Sequence, residues 1–411
     1  MPDLLPFQKI GVEYLRAGRK RLLADDPGLG KTVQLLSALP ERAAVVVTCP
    51  APLKEVWQDF AAVWAPAYKV TVIYGRNAFR MPEHGEIVVV NYEILPQHYD
   101  QGAPAGLHIL ADEVHATKNP SADRTKSFRQ LRSLALSVGG VVWGATGTPL
   151  YNKPLDLWNT LASLDLHLDV FGRYSQFVHL FRGFETKFGM KWGTPRGEVV
   201  SMLARHVLGR RREDVLSEMP EKMYSTIRVD IDHSRIPDWE ERNRSGHSPG
   251  ISKARETLAR HKARAALSAL KEMASVEPLV VFSWHRGAVE EVAAALDVPA
   301  AIGQEDVKGL VDKFQEGKID HFVGTIAAAG TGFTLIRASC VVFIDRDWTI
   351  AMNTQAEDRV CRIGQSRGVR VVDVITDHPL DNLVRRTLMG KALIDDESVE
   401  AMKEFHSENG V

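Results

Sequence analysis

The chain predicts an α/β protein made of two tandem parallel-sheet domains with a helical stretch between them. Two observations lead there, and a third marks the middle as different. Short β-branched runs alternate with helical patterns through the first third, which is how strands buried on both faces read in sequence. The same texture returns late in the chain. Between the two lies a stretch with few strand signals and an excess of basic residues.

The early strands are read from "AAVVVTC", "KVTVIYG", "EIVVVNY", "LHILADE" and "GVVWGATG", with helices from "PLKEVWQDFAAVW" and "TKSFRQLRSLALS". The late ones are "PLVVFSW", "DHFVGTI", "SCVVFID" and "GVRVVDVI". Expected boundaries are 1–165 for the first domain, 166–254 for helical protrusions and a linker, and 255–411 for the second domain with a C-terminal helix. From Arg182 to Arg264 the chain has 18 Lys/Arg and 12 Asp/Glu, a local excess of +6 that includes "GRRRED". A solvated helical face would carry the same charges.

The 411 residues are 45% hydrophobic and 25% charged, ordinary for a globular protein with room for two or three cores. No apolar run approaches the ~18 residues of a membrane helix, and the N-terminus lacks a signal peptide's apolar centre. Cys49, Cys340 and Cys361 are far apart, so no zinc site or disulfide framework is indicated and a reducing cytoplasm is expected. With a net charge of −1, any nucleic-acid binding must come from a local patch.

"LLADDPGLGKTVQLL" places a Gly-rich turn and Gly30-Lys31-Thr32 between an apolar run and a helical pattern. That is the context of a phosphate loop. Backbone N–H groups around Gly28 and Gly30 and the helix N-terminus hold phosphate, Lys31 reaches the β/γ oxygens, and Thr32 offers a hydroxyl to Mg²⁺. Asp25 stands where such a loop usually has its first Gly. "LHILADEVH" then ends an apolar strand in Asp112-Glu113. Asp112 fits a metal carboxylate and Glu113 a base that activates water, so the pair points to nucleotide hydrolysis rather than binding alone. An exposed acidic turn is the alternative for such a pair standing by itself.

"NTQAEDRVCRIGQ" predicts a helix opened by a Thr354/Glu357 capping box, with Gln355, Arg359 and Arg362 at i, i+4 and i+7 on one face. Two arginines and a glutamine there suit a γ-phosphate clamp. An arginine finger is worth roughly 10³–10⁵ in rate. A surface ion-pair face is the other reading of the same residues.

The order "PFQ", "DPGLGKT", "DEVH", "GATGTPLYN", "VFSWHR", "GTIAAAGTGFTL", "QAEDRVCRIGQ" closely resembles superfamily-two helicases. "GTPLYN", "GRRREDVLSEMPEK", "QAEDRVCRIGQ" and the DEVH box resemble the Swi/Snf branch, and within it "IAAAGTGFTL" and "QAEDRVCRIGQ" are most similar to the HepA-related annealing-helicase group. The resemblance spans almost the whole chain. It implies two RecA-like lobes, with ATP between them and double-stranded DNA across both. It also implies that Gln8 reads adenine and that Arg359 and Arg362 form the finger pair. Thr146, Gly147 and Thr148 would couple hydrolysis to movement, and Gly330 and Gly332 would lie at the nucleotide edge of the second lobe. DNA contacts would come from Lys54 in "CPAPLKEVW" and from Asn91, Tyr92, Ser283 and Thr325. Apart from the resemblance, the basic middle offers Arg210, Arg211 and Arg212 either to backbone phosphates or as an internal brace of the two lobes. The chain departs from the family at Leu5, where a basic residue is usual, at Pro27 (usually Met) and at Cys361 (usually His).

The expectation is therefore an ATP- and Mg²⁺-dependent translocase on double-stranded or branched DNA, monomeric, without a membrane. The short protrusions and the lack of appended modules suggest a bare motor of bacterial or phage type. The alternatives are a motor subunit of a restriction or repair complex and a nucleotide-gated DNA clamp. "GTPLYN" and "RIGQ" argue against an RNA helicase.

Overall fold

The computed structural model describes residues 3–99, 102–147, 154–187, 189–216, 221–238, 249–303, 307–329, 333–362 and 364–389. They form two compact units, the first ending at Val215 and the second beginning at Leu216.

In the first unit the strands are β1 (Lys20–Leu23), β2 (Ala44–Cys49), β3 (Lys69–Val72), β4 (Glu86–Asn91), β5 (His108–Ala111), β6 (Val141–Ala145), β7 (Phe184–Thr186), β8 (Gly189–Lys191) and β9 (Val207–Leu208). Seven of them make one sheet in the order β3-β4-β2-β5-β6-β1-β9. Every neighbouring pair in it is parallel. β2 and β4 are buried along their whole length, which is why they read as unbroken apolar runs. Alternate residues serve opposite faces: Val46, Val88 and Val90 enter one core, and Val45, Val47, Ile87 and Val89 the other.

The second unit holds β10 (Lys222–Arg228), β11 (Leu279–Ser283), β12 (Ala300–Ala301), β13 (Phe322–Thr325), β14 (Cys340–Phe343) and β15 (Val369–Ile375). These form a parallel sheet in the order β10-β15-β14-β11-β13-β12. Val280 and Phe282 face one core and Leu279 and Val281 the other. Residues 379–389 are helical. Two parallel-sheet α/β lobes are thus present as expected.

The middle stretch does not stand apart. Helices His167–Phe171, Tyr174–Leu180 and Glu198–Ala204 send Val170, Phe171, Phe177, Leu180 and Leu203 into a core of the first unit. β9 joins that unit's sheet and β10 joins the other. Helix Pro249–Ala274 begins ahead of the expected boundary and places Ala259, Ala263, Ala266 and Leu270 in a core of the second unit. The stretch also has more strand than its sequence suggests, including the antiparallel pair β7 and β8.

Candidate nucleotide-hydrolysis site

The phosphate loop runs from the end of β1 to helix Lys31–Ser37. Gly28 and Gly30 have φ of 89° and 74°, which a side chain tolerates poorly. A Cβ at Gly30 would also stand 2.6 Å from Gln8 Nε2. Lys31 Nζ donates to the carbonyls of Asp25 at 2.6 Å and Asp26 at 3.1 Å, so the lysine lies along its own loop. Gln8 is buried, accepts from Leu5 N at 3.0 Å and donates to the Leu29 carbonyl at 3.3 Å. The adenine-reading candidate is thereby fixed to the loop.

Asp112 and Glu113 follow β5 directly. The Trp57 indole N–H donates to Asp112 Oδ2 at 2.8 Å, and the Glu113 N–H donates to Oδ1 at 3.0 Å. The Tyr92 hydroxyl donates to the Asp112 carbonyl at 2.8 Å. Burial, reinforced by the neighbouring Glu113 charge, pushes the Asp112 carboxyl above the usual carboxylate range. For Glu113 burial acts in the same sense. The His115 contact, the Lys31 charge and the Gly147 N–H outweigh it and hold this carboxyl low.

Glu113 has φ 46° and ψ 48°, the left-handed region unusual for a residue with a side chain. Its Oε2 lies 3.2 Å from His115 Nδ1 and 3.4 Å from the Gly147 N–H. His115 Nδ1 is in turn 3.0 Å from Thr146 Oγ1. The expected base is thus linked to the segment expected to couple hydrolysis to movement, of which Thr148 lies outside the described residues.

Several side chains expected to serve the nucleotide or DNA have internal partners. Asp25 is fully buried and accepts from Arg210 Nε at 2.9 Å, Arg210 Nη2 at 2.6 Å and Gln34 Nε2 at 3.1 Å. Arg210 also donates to the Phe7 carbonyl and, at 2.8 Å, to Gln34 Oε1. Gly11 makes this possible, because a Cβ there would sit 1.8 Å from Gln34 Oε1. The Asp25 carboxylate anchors the loop through these bonds. Arg210, offered by the sequence either to DNA or as a brace, joins helix Pro6–Arg16, the loop and helix Lys31–Ser37. Arg212 is part of the same brace, its N–H donating to the Asp26 carboxylate at 2.9 Å and Nη2 to the Pro27 carbonyl at 3.0 Å. Arg211 pairs with Glu213 at 3.3 Å.

Tyr92 is 1% exposed and its hydroxyl is engaged at the Asp112 carbonyl. Ser283, also 1% exposed, bonds the Asp345 carboxylate, and Thr325 accepts from the Ala328 N–H at 3.2 Å. Short hydroxyl side chains at strand ends satisfy nearby polar groups first, which the sequence cannot distinguish from phosphate contact. Asn91 donates to Glu93 at 2.9 Å, and Lys54 to the Ile73 carbonyl at 3.0 Å from above the Tyr74 ring.

In the second unit the arginine segment differs from the expected helix. The helix spans Ile350–Glu357 with Thr349 as N-cap and Asp358 as C-cap. Thr354 and Glu357 form no capping box at its start. Gln355 is buried on the helix, whereas Arg359 and Arg362 follow in the turn. Arg362 Nη1 reaches the Phe333 carbonyl at 3.4 Å and Thr334 Oγ1 at 3.3 Å. Gly330 and Gly332 lie outside the described residues.

Sequence reasoning missed Trp57 and His115. Trp57 left a faint signal, a large aromatic on an otherwise amphipathic helix.

A lysine-bearing loop after β1 and an acidic pair after β5, two strands away in the same sheet, followed by a second parallel-sheet unit with two arginines after a buried helix, are the arrangement of a helicase-like ATPase. The whole sequence then gives the family. Residues 7–273 match the SNF2-related domain and residues 262–364 the helicase conserved C-terminal domain; as the first match covers well over half of the chain, the chain belongs to the SNF2-related family.

The chain is similar to the human DNA annealing helicase and endonuclease ZRANB3, 24% identical over 98% of this chain and 41% of the relative. It is similar to the Caenorhabditis elegans homolog of SWI/SNF-related matrix-associated actin-dependent regulator of chromatin subfamily A-like protein 1, 26% identical over 98% of this chain and 64% of that protein. It also resembles the Mycoplasma genitalium ATP-dependent helicase MG018, 23% identical over 96% of this chain and 42% of the relative. The chain thus spans about two fifths of ZRANB3. Among solved structures, the Sulfolobus solfataricus SWI2/SNF2 ATPase core in complex with dsDNA aligns over 98% of this chain and 95% of its own, with TM-score 0.47 and 21% identity. Among the described residues no helix is long and apolar enough to cross a membrane.

Proposed function

We propose that the chain is an ATP-dependent translocase on double-stranded DNA whose hydrolysis is stimulated by DNA. The observation that carries this reading is the acidic pair. Asp112 is fixed by an indole N–H, and Glu113 is held ionised beside Lys31 and Gly147. A module that only binds nucleotide needs no such base. Glu113 orients the attacking water and accepts its proton, Lys31 reaches the β/γ oxygens, and Gln8 reads the base. Arg359 and Arg362 act on charge developing at the γ-phosphate.

The donor set fits Mg²⁺, since one buried carboxylate raised by burial and one helix-start hydroxyl leave room for phosphate oxygens and water. Thr32 and Asp112 would hold it. When bound, the ion neutralises charge on the β- and γ-phosphates.

The family, and relatives named as acting on DNA, support duplex DNA as the track and rewinding of forks or bubbles as a consequence of movement. The test is ATP turnover with duplex, forked and single-stranded DNA and with RNA. Stimulation by duplex or forked DNA is expected. Equal stimulation by RNA, or none by any polymer, would defeat the reading.

A further inference from the structure

Two carboxylates stand directly before the arginine turn, and both are buried. Glu357 is 4% exposed and Asp358 2%. Opposite charges attract strongly away from water. Carboxylates so close in sequence to Arg359 and Arg362 would therefore compete with phosphate for those guanidinium groups unless other cations occupied them.

The second unit supplies those cations. Lys222, the first residue of β10, places Nζ 2.8 Å from Glu357 Oε2 and 2.9 Å from Asp358 Oδ1. Arg346 donates to Glu357 Oε1 at 2.7 Å and grips Asp373 of β15 at 2.6 and 3.1 Å. The Tyr224 hydroxyl donates to Glu357 Oε2 at 3.1 Å. Burial works to raise the Glu357 carboxyl, and Lys222 and Arg346 more than offset it, so the charge is kept. Lys222 sits on a rigid support, since β10 pairs with β15 from Lys222↔Val369 to Arg228↔Ile375.

We infer that Lys222 is a positioning residue for hydrolysis. It occupies Glu357 and Asp358, sets the end of helix Ile350–Glu357, and so fixes where the following turn presents Arg359 and Arg362. This rests on the proposed role of those arginines at the γ-phosphate. The nucleotide itself is held by the phosphate loop, so loss of Lys222 should weaken the transition state and spare ground-state binding. A lysine that only braced the fold would change stability and leave that balance alone.

The experiment uses the full chain with saturating duplex DNA. Lys222→Met should lower kcat at least about tenfold while KM for ATP stays within about threefold, the pattern of an interaction made in the transition state. ADP–aluminium fluoride should bind more weakly by a similar factor, and ADP should bind as in the parent. Lys222→Arg, which keeps the cation, should restore most of the rate. If Lys222→Met does not fold, Glu357→Gln keeps the shape and removes the charge, and it should show the same split.

Folded variants with parental kcat and parental aluminium fluoride affinity would overturn the inference, as would a loss that falls equally on ADP affinity. Arg359→Ala is measured alongside. If it too turns over at the parental rate, the role of the arginines fails; if it is inactive and Lys222→Met is not, only the role of Lys222 fails.

Discussion

At the scale of single residues, Glu113 is the proposed base. Its carboxyl is held low by His115 and Lys31 and touches the Gly147 N–H. Glu113→Gln should leave nucleotide affinity intact and cut turnover by roughly 10²–10⁴, as losing a general base does. Turnover at the parental rate would remove it from that role. Arg210 makes a different kind of prediction, because the residue, offered by the sequence either to DNA or as a brace, lies against Asp25. Its fork holds both carboxylate oxygens, a geometry lysine cannot copy. Arg210→Lys should therefore raise KM for ATP by roughly tenfold, about 1.4 kcal/mol, without changing DNA affinity at fixed salt. A variant that loses DNA affinity and keeps its KM would return the residue to the DNA surface.

Among the elements, helix Lys54–Trp64 does more than pack. Trp57 reaches from it to Asp112, which ties the proposed metal carboxylate to a segment read from sequence as near DNA. Trp57→Phe keeps the ring and removes the donor. A buried hydrogen bond to a charged group is worth about 1.5–3 kcal/mol, so turnover should fall roughly tenfold or more, with DNA affinity unchanged. Parental turnover in a folded Trp57→Phe variant would show that the indole only fills space.

The pairing of β3 and β4 gives a pH test. Glu86 on β4 bonds Arg80 and Thr71, and chiefly through Arg80 its carboxyl is lowered to about 2. Its folded value lies below its unfolded one, so its contribution is present above the usual carboxylate range and is lost as pH falls toward 2. Arg80 is partly exposed, which screens the pair and leaves about 1 kcal/mol. Denaturant unfolding at pH 6 and pH 3 should show that part of the loss vanish in Glu86→Gln. An unchanged pH dependence would mean the pair does not matter to stability.

The buried parallel strands were legible in sequence because burial on both faces demands unbroken apolar runs, as in β2 and β4. β10 was not: five of its seven residues, among them Tyr224, are exposed, and an edge strand needs no such run. β9 has two residues and leaves no periodicity. The phosphate loop and acidic pair were legible because their chemistry is local in the chain. The partners of Asp25, Asp112 and Glu357 lie 185, 55 and 135 positions away, and no local pattern announces them.

For the whole molecule, a net charge of −1 means that a chain acting on DNA as proposed would have to grip it locally. Affinity should then fall linearly with salt on logarithmic axes and depend little on base sequence, because backbone phosphates are what such a surface reads. Strong sequence preference at constant salt would contradict this. Strand separation needs an element that splits the duplex. Among the described residues of the second unit all strand pairings are parallel, and β14 leads to the helix before the arginine turn with no intervening hairpin. The antiparallel pair β7 and β8, in the first unit, has three residues on each side and an exposed Phe184.

The most direct test of duplex translocation gives the purified chain ATP, Mg²⁺ and a duplex carrying a triplex-forming third strand, with a tailed duplex of equal length in parallel. ATP-dependent displacement of the third strand with little unwinding of the tailed duplex is the predicted result. Efficient separation of the tailed duplex would instead make the chain a strand-separating helicase, with β7 and β8 the first place to look for its wedge. Failure to displace the third strand while DNA-stimulated hydrolysis continues would contradict translocation itself.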